Sequence, residues 1–231
     1  MQVSRGQIQG HSTIFIFGYQ AQVDNTAVPV WENPTTYVYP TSATVMTVAS
    51  DSASDDTSAS LLIQGLDEDY NQISETISLN GISDVTTVNE YFRINNLYLV
   101  SAGTGQIHNV GTITVKQGTN VVAQINPTIS KSQATIYTVP AGYNFYLMYA
   151  NVSTSSGYGS DYATYSVQQI INGVERNILQ QPFTSLFTSD KHATPFKFQE
   201  KSDIQWLVNY SSISDTIEVG AIISGVLIEG A

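Results

Sequence analysis

The side chains in this sequence best suited to chemistry are carboxylates, and they fall in two groups. Asp51, Asp55 and Asp56 lie in residues 50–58, a small, acidic, low-complexity segment. Clustered Asp oxygens are the donor type that a hard cation such as calcium takes. These three are therefore the candidate metal ligands, although their order lacks the regular alternation and central glycine of an EF-hand loop. A solvated surface loop is the simpler explanation of the segment. The second group is Asp67, Glu68 and Asp69, with Glu75 a few residues on. Two remote carboxylates can serve glycoside hydrolysis, so these four are the ones to inspect for that reaction.

The other routes to catalysis find little support. His11, His108 and His192 are far apart in sequence and lack a metal-binding spacing. No Gly-x-Ser-x-Gly elbow, Walker-type loop or dinucleotide glycine loop occurs. Cysteine is absent, which removes disulfides, thiol nucleophiles and thiolate metal sites together. The expectation is a protein with no catalytic residues, no cofactor and no resident metal beyond the weak calcium alternative.

Aromatic residues make a better case for binding. Fourteen tyrosines outnumber eight phenylalanines, and a tyrosine offers an apolar face with a hydroxyl that needs a partner. Tyr158 sits between glycines in Ser156-Gly157-Tyr158-Gly159-Ser160 and is the first candidate contact residue. Phe183, Leu186 and Phe187, in a connection that contains proline, form a second candidate patch.

The elements that must carry these residues read as strands. Around Leu61-Leu62-Ile63 an apolar run leads into the acidic loop, and Ile73-Ser74-Glu75-Thr76-Ile77-Ser78-Leu79 resumes with period-2 alternation before Asn80-Gly81. Glu75 falls on the apolar face there, which predicts a bulge, a sheet edge or a paired carboxylate. Ile14-Phe15-Ile16-Phe17 is a first strand closed by Gly18. Asn172-Gly173 is the strongest hairpin signal, since both residues tolerate positive φ. No amphipathic run supports a helix. The expected fold is all-β: two antiparallel sandwiches in tandem, residues 11–126 and 127–231, behind an N-terminal arm at residues 1–10.

Composition narrows the partners. Of 231 residues only 12% are charged, about half the usual fraction, and the net charge is −11. No two Lys or Arg are adjacent, so neither a nucleic-acid backbone nor an anionic membrane finds an electrostatic footprint. No apolar run is long enough for a membrane-spanning helix, and the first residues lack the apolar core of a signal peptide. A surface this poor in charge suits a protein covered by neighbours.

Several strings resemble a known group. Gly65-Leu66-Asp67, Ser74-Glu75-Thr76-Ile77-Ser78-Leu79-Asn80-Gly81, Tyr91-Phe92-Arg93-Ile94 and Gly111-Thr112-Ile113 are similar to virion proteins of tailed bacteriophages, marine ones especially. Ile136-Tyr137-Thr138-Val139-Pro140-Ala141-Gly142 and Glu200-Lys201-Ser202-Asp203-Ile204 resemble the second half of the same group. The resemblance implies a jelly-roll-like second domain and a virion component without a catalytic motif, and leaves head, head-to-tail and tail-fibre places open. The acidic charge argues against packing beside the genome, and the expectation is a non-enzymatic head decoration or minor capsid protein assembled in the host bacterial cytoplasm. Its partners would be copies of itself, as a trimer or larger ring, and another virion protein such as the major capsid protein. The alternative is a carbohydrate- or receptor-binding module of a tail or fibre.

Overall fold

The computed structural model describes residues 2–155 and 161–230. After a single 3-10 turn at Val3–Arg5, the chain enters β1 (His11–Val23) and the two-residue β2 (Val28–Pro29). Seven strands follow: β3 (Thr44–Ser50), β4 (Ala59–Leu66), β5 (Gln72–Ser78), β6 (Val85–Tyr91), β7 (Arg93–Ala102), β8 (Ile113–Gln117) and β9 (Asn120–Ile125). The last seven are β10 (Ile136–Thr138), β11 (Tyr143–Thr154), β12 (Ala163–Ile171), β13 (Val174–Phe183), β14 (Phe187–Phe198), β15 (Asp203–Tyr210) and β16 (Ile217–Glu229). All pairings between these strands are antiparallel, and no α-helix occurs among the described residues. The all-β expectation holds.

The division of the chain differs from the tandem expectation. One unit comprises Met1–Thr36 together with Ala134–Ala231, and the other is Tyr37–Gln133. The reason is strand pairing. β1 runs against β16 from His11↔Ile228 to Val23↔Ile217, so the first long strand belongs with the last one. The central unit is an insertion, and the boundary expected at Asn126-Pro127 moves to Gln133/Ala134. The two chain crossings lie side by side within the outer unit, where Trp31 bridges Ala134 and the Thr135 N–H donates to the Val30 carbonyl at 2.9 Å.

The outer unit has two sheets, ordered β1-β16-β11-β14 and β10-β15-β12-β13, with β2 beside β15. Leaving β2 aside, that is eight strands distributed over two sheets in jelly-roll order. Alternation builds the core between them. Along β16 the residues Ile217, Val219, Ala221, Ile223 and Leu227 are buried, while their neighbours are less so. They meet Phe145, Leu147, Val167, Trp206 and Val208 from other strands, and Phe145 stacks near Phe198 with ring centroids 6.0 Å apart.

Two local features follow from backbone physics. Asn172 and Gly173 take φ of 51° and 75° between the paired Ile171 and Val174, the positive-φ turn that fits strand twist. Gly18, in contrast, does not end its strand. A Cβ there would collide with the Val30 carbonyl oxygen and Thr135, so the glycine permits close backbone approach in mid-strand.

The inserted unit is a smaller sandwich of sheets β6-β3-β8-β9 and β5-β4-β7. Its core takes Met46, Val48, Leu61, Ile63, Tyr91 and Leu97 from both sheets. Glu75 resolves as an edge device: its carboxylate accepts the Val88 and Asn89 amides of β6 at 2.9 and 3.1 Å. It thereby links the edge strands β5 and β6 of the two sheets.

Candidate functional site

The first acidic group is a set of fasteners. Asp55 is fully buried. It accepts the Ser50 hydroxyl at 2.6 Å, the Val110 amide at 2.8 Å and the Gly111 amide at 2.9 Å. Its own carbonyl accepts the Gly81 amide at 2.8 Å. Asp51 accepts the Thr112 amide at 2.7 Å. Asp56, on the surface, accepts the Ser58 hydroxyl and amide at 2.6 and 2.8 Å, and these bonds, the hydroxyl first, hold its carboxyl below the usual range. Three connections of the inserted unit are therefore pinned together at Asp55. No group of three or more His, Asp or Glu suited to a metal occurs among the described residues; Asp51 and Asp55 address backbone amides of the Val110–Thr112 segment, and Asp56 addresses Ser58 of its own loop.

The second acidic group behaves similarly. Asp67 accepts the amides of Asp69 and Asn71 at 3.0 and 2.8 Å and the Asn71 side chain at 3.1 Å, closing the hairpin loop in which Tyr70 takes φ of 68°. Glu75 is committed to β6 as described. His11 and His108 contact nearby backbone carbonyls, of Gln9 and Asn109, in different units. The side chain of His192 lies outside the described residues.

The aromatic candidates separate. Tyr158 lies outside the described residues. Phe183 is a core residue, buried against Tyr165 with ring centroids 6.1 Å apart, and the expectation of a contact role is corrected for it. It ends β13, and the alternation of that strand points it inward. Leu186, on the short connection from β13 to β14, and Phe187, the first residue of β14, are exposed, at 53% and 54%.

Phe187 leads to a surface that local sequence reading missed. It pairs with Ser153 of β11 on the side of the β1-β16-β11-β14 sheet that faces away from the core. Phe15 and Phe17 of β1 share that side, since Ile14 and Ile16 between and beside them turn to the core. Phe15 is 61% exposed. Register places Phe15 against Ser224 and Phe17 against Ile222, and these in turn stand beside Tyr149 and Asn151 of β11. One step along, Val226 stands between Thr13 and Tyr146. A register shift between Leu147 and Tyr149 adds Met148, which is 46% exposed. The result is a sheet face whose middle is apolar and aromatic across three strands.

Among the described side chains charge on this face lies at its margins, and register sets one further lysine, Lys191 of β14, opposite Tyr149. Lys197 lies on the edge strand β14, opposite Tyr146. Glu218 lies at the other end, against Tyr19, whose phenol is raised first by burial and then by that carboxylate. The outer face of an antiparallel sandwich is ordinarily the polar one.

No family model matches this chain, and no curated protein does. Among solved structures, that of the infectious bursal disease virus Gx strain is similar over 96% of this chain and 72% of that one, at 11% identity and a TM-score of 0.25. The T=1 particles derived from infectious bursal virus give 11% identity, 96% and 70% coverage and a TM-score of 0.26. The VP2 subviral particle of the same virus gives 8% identity, 97% and 78% coverage and a TM-score of 0.22. These similarities to viral particle structures are weak.

Proposed function

We propose that this chain is a non-enzymatic structural protein of a virion, a head decoration or minor capsid protein of a tailed phage that works by associating with copies of itself and with a neighbouring shell protein. The observation that carries the reading is how three buried ionisable groups, Asp55, Arg93 and Asp203, are used. Asp55 clamps three connections. Arg93 donates to the carbonyls of Pro40 and Phe92 at 2.7 and 2.9 Å and lies over the Tyr39 and Phe92 rings. Asp203 accepts the Thr138 hydroxyl at 2.5 Å between paired strands. Each secures its own sandwich, as a part built for shape requires, and a catalytic carboxylate would instead be poised toward a ligand.

The jelly-roll order agrees with this by analogy, because that architecture is used in viral shells as well as in lectins. Low charge, the strings that resemble phage virion proteins and an uncovered apolar sheet face point the same way. The test is the solution mass of the purified chain by light scattering across micromolar concentrations, with a glycan array run on the same sample. Association without glycan binding is the expected result. A monomer at every concentration that binds one glycan class saturably refutes it in favour of a tail or fibre binding module.

A further inference from the structure

We infer that the outward face of the β1-β16-β11-β14 sheet is the seat of a second copy of this chain, docked face to face. The inference rests on the self-association reading above and says where that association occurs. Its first support is area. Four strands about 4.8 Å apart, over a ten-residue length at about 3.3 Å per residue, give a flat footprint of about 600 Å². Side-chain relief raises this toward the roughly 800 Å² per partner that a stable interface buries.

The second support is electrostatic. At a net charge of −11 two copies repel overall, so they can meet closely only where acidic groups are absent. Around Phe15, Phe17, Ile222 and Met148 no acidic side chain occurs among the described ones; register sets Lys191 and Lys197 along the edge strand β14, opposite Tyr149 and Tyr146, and Glu218 lies at the end of the face away from Lys197. A two-fold axis crossing the strands lays the Lys197 end of one copy over the Glu218 end of the other. An isologous contact is then complementary in charge and matches apolar surface to apolar surface. A strongly basic partner, by contrast, would find only that one marginal carboxylate among the described side chains of the face.

The experiment compares the full chain with Phe15→Glu and Met148→Glu, on two different strands, and with Val88→Glu as a control. Val88 is 87% exposed on β6 of the inserted unit. Circular dichroism checks that each folds, and light scattering reads association. A carboxylate forced into the contact weakens association by at least about 100-fold, the scale of an uncompensated buried charge. Phe15→Glu and Met148→Glu are therefore expected as monomers where the unaltered chain and Val88→Glu associate. Unchanged association of both face variants overturns the assigned face and leaves self-association standing, whereas a monomeric unaltered chain removes self-association itself. If neither Glu variant folds, Met148→Cys in this cysteine-free chain replaces them. Its thiol should react with a bulky maleimide only upon dilution, and equal reactivity in the associated state overturns the assignment.

Discussion

Replacing Asp55 should destabilise the inserted unit more than any other single carboxylate change. In Asp55→Ala the Ser50 hydroxyl and the Val110 and Gly111 amides all lose their acceptor. Val110 is 39% exposed, so water can replace part of its bond. Gly111 stays buried, and an orphaned buried amide costs about 1–3 kcal/mol. Adding the loss of two further charge-assisted bonds gives a total of about 3–4 kcal/mol. Asp55→Asn preserves shape but replaces one acceptor oxygen with an N–H₂ facing donors, and should cost about 2 kcal/mol. Asp56→Asn is the control: its carboxylate is at the surface and bonds Ser58 of its own loop, so no resolvable change is expected. Urea unfolding of the full chain measures the three differences, and amide exchange at Gly111 localises them. If Asp55→Asn matches Asp56→Asn in stability, with Gly111 exchange unchanged, the clamp is not what holds these loops.

Gly18→Ala should cost about 3 kcal/mol in thermal or urea unfolding, because the new methyl meets a backbone oxygen that cannot swing aside; a neutral result would show that β1 and the Val30 segment can separate freely. Burial pushes the Tyr91 phenol up to about 12 and raises that of Tyr137 as well. The unfolded chain, with phenols near 10, loses these protons first, so stability present below pH 10 declines as pH rises toward about 12. Urea midpoints measured on either side of pH 10 check this, and a flat profile across that range would contradict it. Replacing residues 37–133 with a short Gly-Ser linker should leave a cooperatively folding jelly roll, because Trp31 and Ala134 already bridge. A fragment beginning at Pro127 lacks β1 and should not fold cooperatively.

Local chemistry was legible in the sequence wherever one segment determined the outcome. The Asn172-Gly173 hairpin, the alternation through Ile73 and Ile77, and the odd placement of Glu75 all reflect local pattern and appear as read. Gly18 misled because a glycine that ends a strand and one that admits a neighbouring backbone look the same in one dimension. The acidic segment suggested a cation because the sequence lists oxygens without showing that the Val110, Gly111 and Thr112 amides arrive to meet them from about sixty residues away. Phe183 and Phe187 read as one patch, yet they stand at the two ends of a connection between sheets, the first buried and the second exposed. The outward face was invisible because it combines β1 with β11, β14 and β16, which only the fold brings together.

That combination also explains why the chain is better described as an insertion than as a tandem pair. β16 lies between β1 and β11, so the sheet that carries the proposed contact is completed by residues from both ends of the chain. Folding of the outer unit then requires β1 to wait until β16 exists, while the inserted unit is contiguous and can close on itself first. A contact face that spans β1 and β16 is absent until the outer unit is complete. Association through it would therefore be confined to chains that have finished folding, which is the order a shell component needs if partly folded copies are to be kept out.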